Sequence, residues 1–121
     1  MAVSVTNLGS PLAIKLVIDD DADGSANNNV TGASGNIFLV EIDNANNTAI
    51  TYVRLYNHNS PSVGTTNPDL VLPAPAGTKL TYAIPQGVAF GTGISIAACA
   101  EGGTSGSTDP GGTVTVRLLT S

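Results

Sequence analysis

The stretch AITYVRLYNH, residues 49–58, alternates two kinds of side chain along its length. One series is Thr51, Val53 and Leu55, and the other is Tyr52, Arg54, Tyr56 and His58. A period of two is typical of a β-strand, because successive side chains of a strand point to opposite faces of the sheet. The stretch therefore predicts a strand that buries its apolar series and leaves the aromatic and charged series on an open face.

Six other short segments carry strand signals, with turn-forming residues between them. Together they give seven predicted strands: 12–18, 36–42, 49–58, 69–72, 78–84, 93–100 and 113–119. The chain is rich in Thr, Val, Gly, Asn and Pro, a composition that favours strands and tight turns over helices. We expect an all-β fold, a single antiparallel β-sandwich over residues 1–121 of jelly-roll or immunoglobulin-like type. It should have about seven to eight strands, no significant helix and an N-terminal arm over 1–11.

The same alternation predicts which side chains share the buried face of each strand. The predicted sets are Leu12, Ile14, Leu16 and Ile18; Phe38, Val40 and Ile42; Leu80, Tyr82 and Ile84; and Val114, Val116 and Leu118. Between the last two strands lies EGGTSGSTDPGG, residues 101–112, whose composition predicts an exposed and mobile loop.

The charge content excludes one class of partner. The chain has four basic and nine acidic residues, for a formal net charge of −5. Nucleic-acid binding needs a basic stripe that neutralises phosphates, and the four cations are scattered.

The first residues also lack the charged and apolar regions of a signal peptide, and no apolar run reaches the length of a membrane span. We expect a protein made in the cytoplasm that binds neither nucleic acid nor membrane.

Residues that could support catalysis are few and lack supporting motifs. His58 is the single histidine and lies at a predicted strand end, and Cys99 lies within an apolar strand pattern. No nucleophile elbow or phosphate-binding loop accompanies them. Five carboxylates could in principle pair for glycoside hydrolysis, but all have turn or strand-end neighbours: Glu41, Asp43, Asp69, Glu101 and Asp109. We predict no catalytic residues and no enzymatic activity.

The segment VIDDDADGSANNNV, residues 17–30, contains half of a calcium-loop motif. Asp19, Asp21, Asp23 and Asn27 have the ligand spacing of an EF-hand loop, but its twelfth position, which should supply a bidentate Glu, is Val30. Asp, Asn and Gly are also the residues that bond their own backbone in turns. We therefore favour an exposed acidic hairpin loop and no cofactor, with a weak calcium site as the alternative.

The outward series Tyr52, Arg54 and Tyr56 has two interpretations. Aromatic residues and Arg are enriched at protein interfaces, so these three side chains are the candidate interface. Cross-strand packing of the same residues would also stabilise an open sheet face without any partner. Two tyrosines could line a sugar site, although the chain contains no Trp.

The middle of the chain resembles small β-sandwich virion proteins of tailed bacteriophages. The similarity lies in YVRLYNHNSPSVGTTNPDLVLPAPAG and YAIPQGVAFGTGISIAACAEGGTSGSTDP, which cover roughly residues 52–110. The shared positions are Leu55, Tyr56, Pro61, Val63, Gly64, Thr65, Pro68, Leu70, Pro73, Pro75, Ala76, Gly77, Pro85, Gly87, Phe90, Thr92, Gly93 and Ile94. Prolines and glycines dominate this set, and they fix backbone geometry in turns and connections.

The resemblance implies a non-enzymatic virion component. The expected role is a capsid decoration (cement) protein that stabilises the head by binding between capsid subunits. Its partners would be the major capsid protein or other virion proteins, and it would form a homo-oligomer, with a trimer favoured. The alternative is a receptor- or glycan-binding module of a phage tail or fibre, in which Tyr52 or Tyr56 would stack on a sugar. The acidic loop lies outside the similarity.

Overall fold

The computed structural model describes residues 3–8 and 14–121. These residues form eight strands and no helix: β1 (Val3–Asn7), β2 (Lys15–Asp19), β3 (Gly35–Asp43), β4 (Thr51–Tyr56), β5 (Leu70–Ala74), β6 (Lys79–Phe90), β7 (Ser95–Cys99) and β8 (Thr115–Thr120). The all-β class and the absence of significant helix over these residues confirm the prediction.

The strands form two antiparallel sheets that share one core. The five-stranded sheet has the order β1-β2-β8-β3-β6, and the three-stranded sheet has the order β5-β4-β7. Buried side chains of both sheets meet in a single hydrophobic cluster, for example Val40 and Val116 from the first and Val53 and Ile96 from the second. Two sheets facing each other across one apolar layer are a β-sandwich, as the sequence predicted.

Several predicted core faces are confirmed. Val53 and Leu55 of β4 are fully buried, as are Val116 and Leu118 of β8, with Val114 just before β8.

The turns also follow the predicted chemistry. Gly64 and Gly77 have positive φ values of 93° and 69°. Glycine adopts this conformation without steric strain because it has no Cβ, whereas other residues are destabilised in it.

One predicted core face is wrong, and that of β3 is wrong at Phe38 alone, since Val40 and Ile42 are fully buried as predicted. In β2 the residue facing the core is Val17, fully buried, whereas Leu16 and Ile18 lie half-buried on the outer face, and Leu12 is outside the described residues. In β3 an irregularity between Ile37 and Leu39 shifts the alternation. A bulge of this kind inserts one residue into one strand, so side chains before and after it exchange faces. Phe38 is therefore half-buried, while Ile37 takes the core position.

The expected N-terminal arm is in part a strand. Val3–Asn7 forms β1, which pairs with β2 along its whole length, with Val5 opposite Val17. Residues 1, 2 and 9–11 of the predicted arm lie outside the described residues. The strand belongs to the sandwich and extends the five-stranded sheet by one member.

Candidate functional site

A loop covers the outer face of β4, and we call residues 101–109 the covering loop. Arg54 points from this face into the loop and donates four hydrogen bonds to backbone oxygens. Nη1 donates to Thr104 (3.1 Å) and Gly106 (3.0 Å), and Nη2 donates to Glu101 (2.8 Å) and Ser105 (3.0 Å). The planar guanidinium, with its fixed fan of donors, suits this ring of carbonyls.

The covering loop also bonds to itself and to neighbouring segments. Glu101 accepts hydrogen bonds from the hydroxyl and the backbone N–H of Thr108, at 2.5 and 3.1 Å, and the hydroxyl bond is the main reason that the pKa of Glu101 is lowered. Thr104 donates to Asn67 (3.0 Å), and Asp109 accepts from the backbone of Gly24 (2.8 Å). The loop is largely exposed, as predicted, but these bonds fasten it to the sandwich, contrary to the expectation of a mobile loop.

Two strands of the three-stranded sheet, β4 and β7, are consequently buried on both faces, except for the half-buried Tyr52. All five residues of β7, Ser95–Cys99, are buried, and so are Arg54 and Tyr56 of β4. Burial raises the pKa of Tyr56 and of the Cys99 thiol above their ordinary values. A thiol with a raised pKa and no exposed surface is a poor nucleophile, so Cys99 has the properties of a core residue.

The candidate interface residues are therefore not on an open face. Arg54 and Tyr56 are fully buried beneath the covering loop, so the prediction that they lie on an open face is wrong. Tyr52 is half-buried, and Gly102 of the loop lies against its ring. The surface that this side of the molecule presents consists of the covering loop itself, with Gly, Ser and Thr as its main residues.

The acidic loop after β2 is also more deeply packed than predicted. Asp19 is fully buried, and its carboxylate accepts hydrogen bonds from Asn27 Nδ2 (2.5 Å) and from the backbone of Asp21 (3.2 Å). Burial raises the pKa of Asp19, although both hydrogen bonds act in the opposite direction. Asp23 accepts from the backbone of Ser25 (2.9 Å), the turn bonding that the sequence favoured.

The segment after this turn closes an edge of the three-stranded sheet. Asn27 exchanges backbone hydrogen bonds with Ile96 at 2.9 and 3.0 Å, and Ala98 donates to Asp23 (2.8 Å). An exposed hairpin loop is therefore the wrong description of residues 19–30. They cross from one sheet to the other and cover the free edge of β7.

The calcium candidates occupy dissimilar environments. Asp19 is buried and Asp21 is exposed, while Asp23 and Asn27 are intermediate. Within residues 3–8 and 14–121, no group of three or more His, Cys, Asp or Glu side chains is arranged to hold a metal ion. The preference for no cofactor stays a prediction, and its test is given below.

At the end of β4, the polar side chains of His58 and its neighbours form hydrogen bonds that hold the backbone in place. His58 is exposed, and its Nδ1 accepts a hydrogen bond from the backbone of Ser60 (2.9 Å). The buried hydroxyl of Ser95 donates to the backbone oxygen of His58 (2.6 Å) rather than to its ring. Asp69 accepts from the backbone of Asn57 (2.6 Å). Each of these polar groups is hydrogen-bonded to a backbone group and so stabilises the backbone conformation at the end of β4.

Sequence reasoning missed a buried amide cluster at the other end of the sandwich. Asn44 is fully buried, and its Nδ2 donates to the backbone oxygens of Ala49 (3.2 Å), Ala74 (2.9 Å) and Pro75 (3.2 Å). Its Oδ1 accepts from Asn47 Nδ2 (2.6 Å) and from the Thr51 hydroxyl (3.0 Å). Asn-rich turns look alike in sequence, so the pattern did not distinguish this asparagine from the exposed ones.

Comparison of the chain with protein-family models, curated proteins and solved structures gave no match. Over the part of the chain that the structure describes, no helix has the length and apolar character needed to cross a membrane.

Proposed function

We propose that this chain is a non-enzymatic structural protein of a tailed-phage virion, a capsid decoration protein that stabilises the head by binding between capsid subunits. The resemblance over roughly residues 52–110 points to this class. The observation that carries the proposal is the bonding of Arg54 to four carbonyls of the covering loop. Both the arginine and the loop lie within the region of resemblance.

The bonded loop has the properties of a contact surface. Its backbone is held by a buried cation, so little conformational entropy is lost when a partner binds. Its exposed residues are small and mostly uncharged, including Gly103, Ser105 and Ser107. Such a surface can approach a partner closely and bond through backbone and hydroxyl groups. Many copies on a symmetric capsid would give high avidity even if each contact were modest.

The proposed partners are the major capsid protein or other virion proteins, and the resemblance favours a homo-oligomer, with a trimer as its form. Binding on a virion needs no reactive side chain, and the burial of Cys99 and the backbone bonding of Ser95 are in keeping with a structural role. The glycan-binding alternative is less well supported, because the ring of Tyr56 is buried and Gly102 lies against that of Tyr52.

The experiment adds the purified protein to heads of the corresponding phage from which this protein has been removed. We expect binding that saturates at a fixed number of copies per head and increases the temperature at which the heads release DNA. Ser105→Lys places a charge on the covering loop, and Ser34→Lys places the same charge at another exposed position. We expect the first variant to reduce binding and the second to bind as wild type.

Two outcomes contradict the proposal at different levels. If wild type does not bind the heads at saturable sites, the decoration role is wrong. If wild type binds and the two lysine variants bind equally well, the role stands, but the covering loop is not the contact surface.

A further inference from the structure

The two sheets have four outer edges, and three of them carry protection against pairing with another strand. The edge strand β5 contains Pro73, and the edge strand β6 contains Pro85 and the exposed Lys79. The edge of β7 is covered by the segment around Asn27. Prolines, charges and covering segments are the usual means by which proteins block edge-to-edge association.

Among the residues that the structure describes, 3–8 and 14–121, the fourth edge, β1, has none of these devices. Its sequence, VSVTN, contains neither a charge nor a proline, and its last four residues are exposed. Three large hydrophobic side chains in the described part of the chain are exposed, and two of them lie on or next to this strand: Val5 at 42% and Leu8 at 43%. Exposed apolar residues concentrated on one unprotected edge indicate a contact surface.

The hydrogen bonding between β1 and β2 shows which backbone groups face outward. Leu8 N–H donates to the backbone oxygen of Ile14 at 2.9 Å, so these two residues form a hydrogen-bonded pair. Hydrogen-bonded and non-hydrogen-bonded pairs alternate along an antiparallel ladder. Val5, three residues earlier and opposite Val17, is therefore in a non-hydrogen-bonded pair. Its N–H and C=O point away from β2, toward the free edge.

We propose that β1 pairs antiparallel with β1 of a second copy of this chain, with Val5 opposite Val5. Each Val5 then donates to and accepts from its counterpart, and Ser4 lies opposite Thr6 of the second copy. The contact is isologous, since the same strand serves both partners around a twofold axis. It joins the two five-stranded sheets into one continuous sheet.

A groove beside β1 favours such a neighbour. Val3 and Val5 form one side, residues 27–30 form the other, and the groove has a volume of about 320 Å³. Val5 lies opposite Val17, so its side chain is on the core face of the sheet. In an antiparallel pair, opposed side chains share one face. The second Val5 therefore lies across this groove and covers the exposed side chain of the first Val5.

Charge complementarity favours a second copy in the antiparallel orientation. In β2, Lys15 lies at the Asn7 end of β1, and Asp19 lies at the Val3 end, with Asp20 and Asp21 following. Antiparallel pairing puts the Lys15 end of each copy at the acidic end of the other, about 14 Å away across three strand spacings, so this preference is weak and should be largest at low salt. Parallel pairing would bring the two acidic ends together.

The first test is the molar mass of the full-length protein by sedimentation equilibrium over a range of micromolar concentrations. We expect a reversible dimer. Val5→Pro removes the outward N–H without removing a bond to β2, and Val5→Lys puts a charge on the edge. Both should raise the dimer dissociation constant at least about tenfold. A monomer at all concentrations, or the trimer that the resemblance favours with no response to these changes, would overturn the proposal.

A cross-linking test does not depend on how well the proline variant folds. Val5→Cys places two thiols opposite each other at the twofold axis, whereas Leu8→Cys, at an equally exposed position, separates them by about 20 Å along the strands. Cys99 is buried and serves as a common background. Under mild oxidation we expect covalent dimers of Val5→Cys at a rate at least about tenfold above Leu8→Cys. Equal rates would contradict the proposed register. This proposal does not rest on capsid binding, so the two can fail independently.

Discussion

Arg54 Nη2 and the backbone oxygen of Glu101 are joined by a hydrogen bond of 2.8 Å between residues 47 positions apart in the chain. The bond is one of four that connect β4 to the covering loop. A buried guanidinium is costly to desolvate, and it is tolerated here because backbone carbonyls accept four hydrogen bonds from Nη1 and Nη2, although Nε has no partner. This side chain is what makes a Gly/Ser/Thr-rich loop a fixed outer layer of the sandwich.

Replacing Arg54 with methionine should destabilise the protein and release the loop. The carbonyls of the loop would lose their donors, and we expect the free energy of unfolding to fall by about 3 kcal/mol. Arg117→Met is the matched control, because Arg117 bonds Glu41 at 2.9 Å from a partly exposed position. That change should cost about 1 kcal/mol or less. Chemical denaturation measures both, and amide exchange should accelerate over residues 101–108 in the Arg54 variant alone. Equal costs would contradict the role of Arg54.

Asn44→Ala should be destabilising although no charge is lost. The backbone oxygens of Ala49, Ala74 and Pro75 would lose this donor, and that of Ala74 would stay buried without it, so we expect a loss of about 3 kcal/mol. Asn46→Ala is the control, because Asn46 is exposed and belongs to the same turn. It should change stability by about 0.5 kcal/mol or less. Similar unfolding midpoints for the two variants would show that the amide cluster is not structurally important.

The stability of the protein should depend on the protonation of Asp19. Because burial raises its pKa, the folded chain binds this proton more tightly than the unfolded chain does. The contribution is complete below the unfolded-state pKa, about 4, and is lost as the pH rises through the raised folded-state pKa. Asp19→Asn has no such titration. We expect the unfolding temperature of wild type, relative to the variant, to increase as the pH is lowered toward about 4. A constant difference would contradict the burial of an ionisable Asp19.

Calcium should have no measurable effect on the unfolding temperature. The Asp19 carboxylate is buried and bonded to Asn27, and Asp23 bonds the backbone of Ser25, so the motif residues are used within the loop. Thermal unfolding in excess calcium and in excess chelator should therefore coincide. A ligand that binds the folded state raises its stability, so a clear increase in calcium would contradict this prediction.

The sequence predicted the class of fold because alternation is a local property. The inward series of β4 and β8 could be assigned from residues two apart, such as Val53 and Leu55. The bulge near Phe38 could not be assigned, because it depends on pairing with β6 and β8. β1 was missed as a strand since VSVTN is short, polar and largely exposed.

The candidate site was harder to predict because it depends on tertiary contacts. Nothing local distinguishes Arg54 on an open face from Arg54 under a loop that follows 47 residues later. One signal was present: the stretch ISIAACA, residues 94–100, has almost no polar alternation. A strand without a polar face is typical of a sheet that is covered on both sides. That pattern would have predicted a covering segment and, with it, the burial of Tyr56.

The most direct test of the proposed function is to find a tailed-phage genome that encodes this chain and to obtain an electron cryomicroscopy map of its virions. We predict density for the eight-stranded sandwich at symmetric positions on the head, between capsid subunits, with the covering loop at the contact. Virions that lack this chain, or that carry it away from the head, would contradict the account.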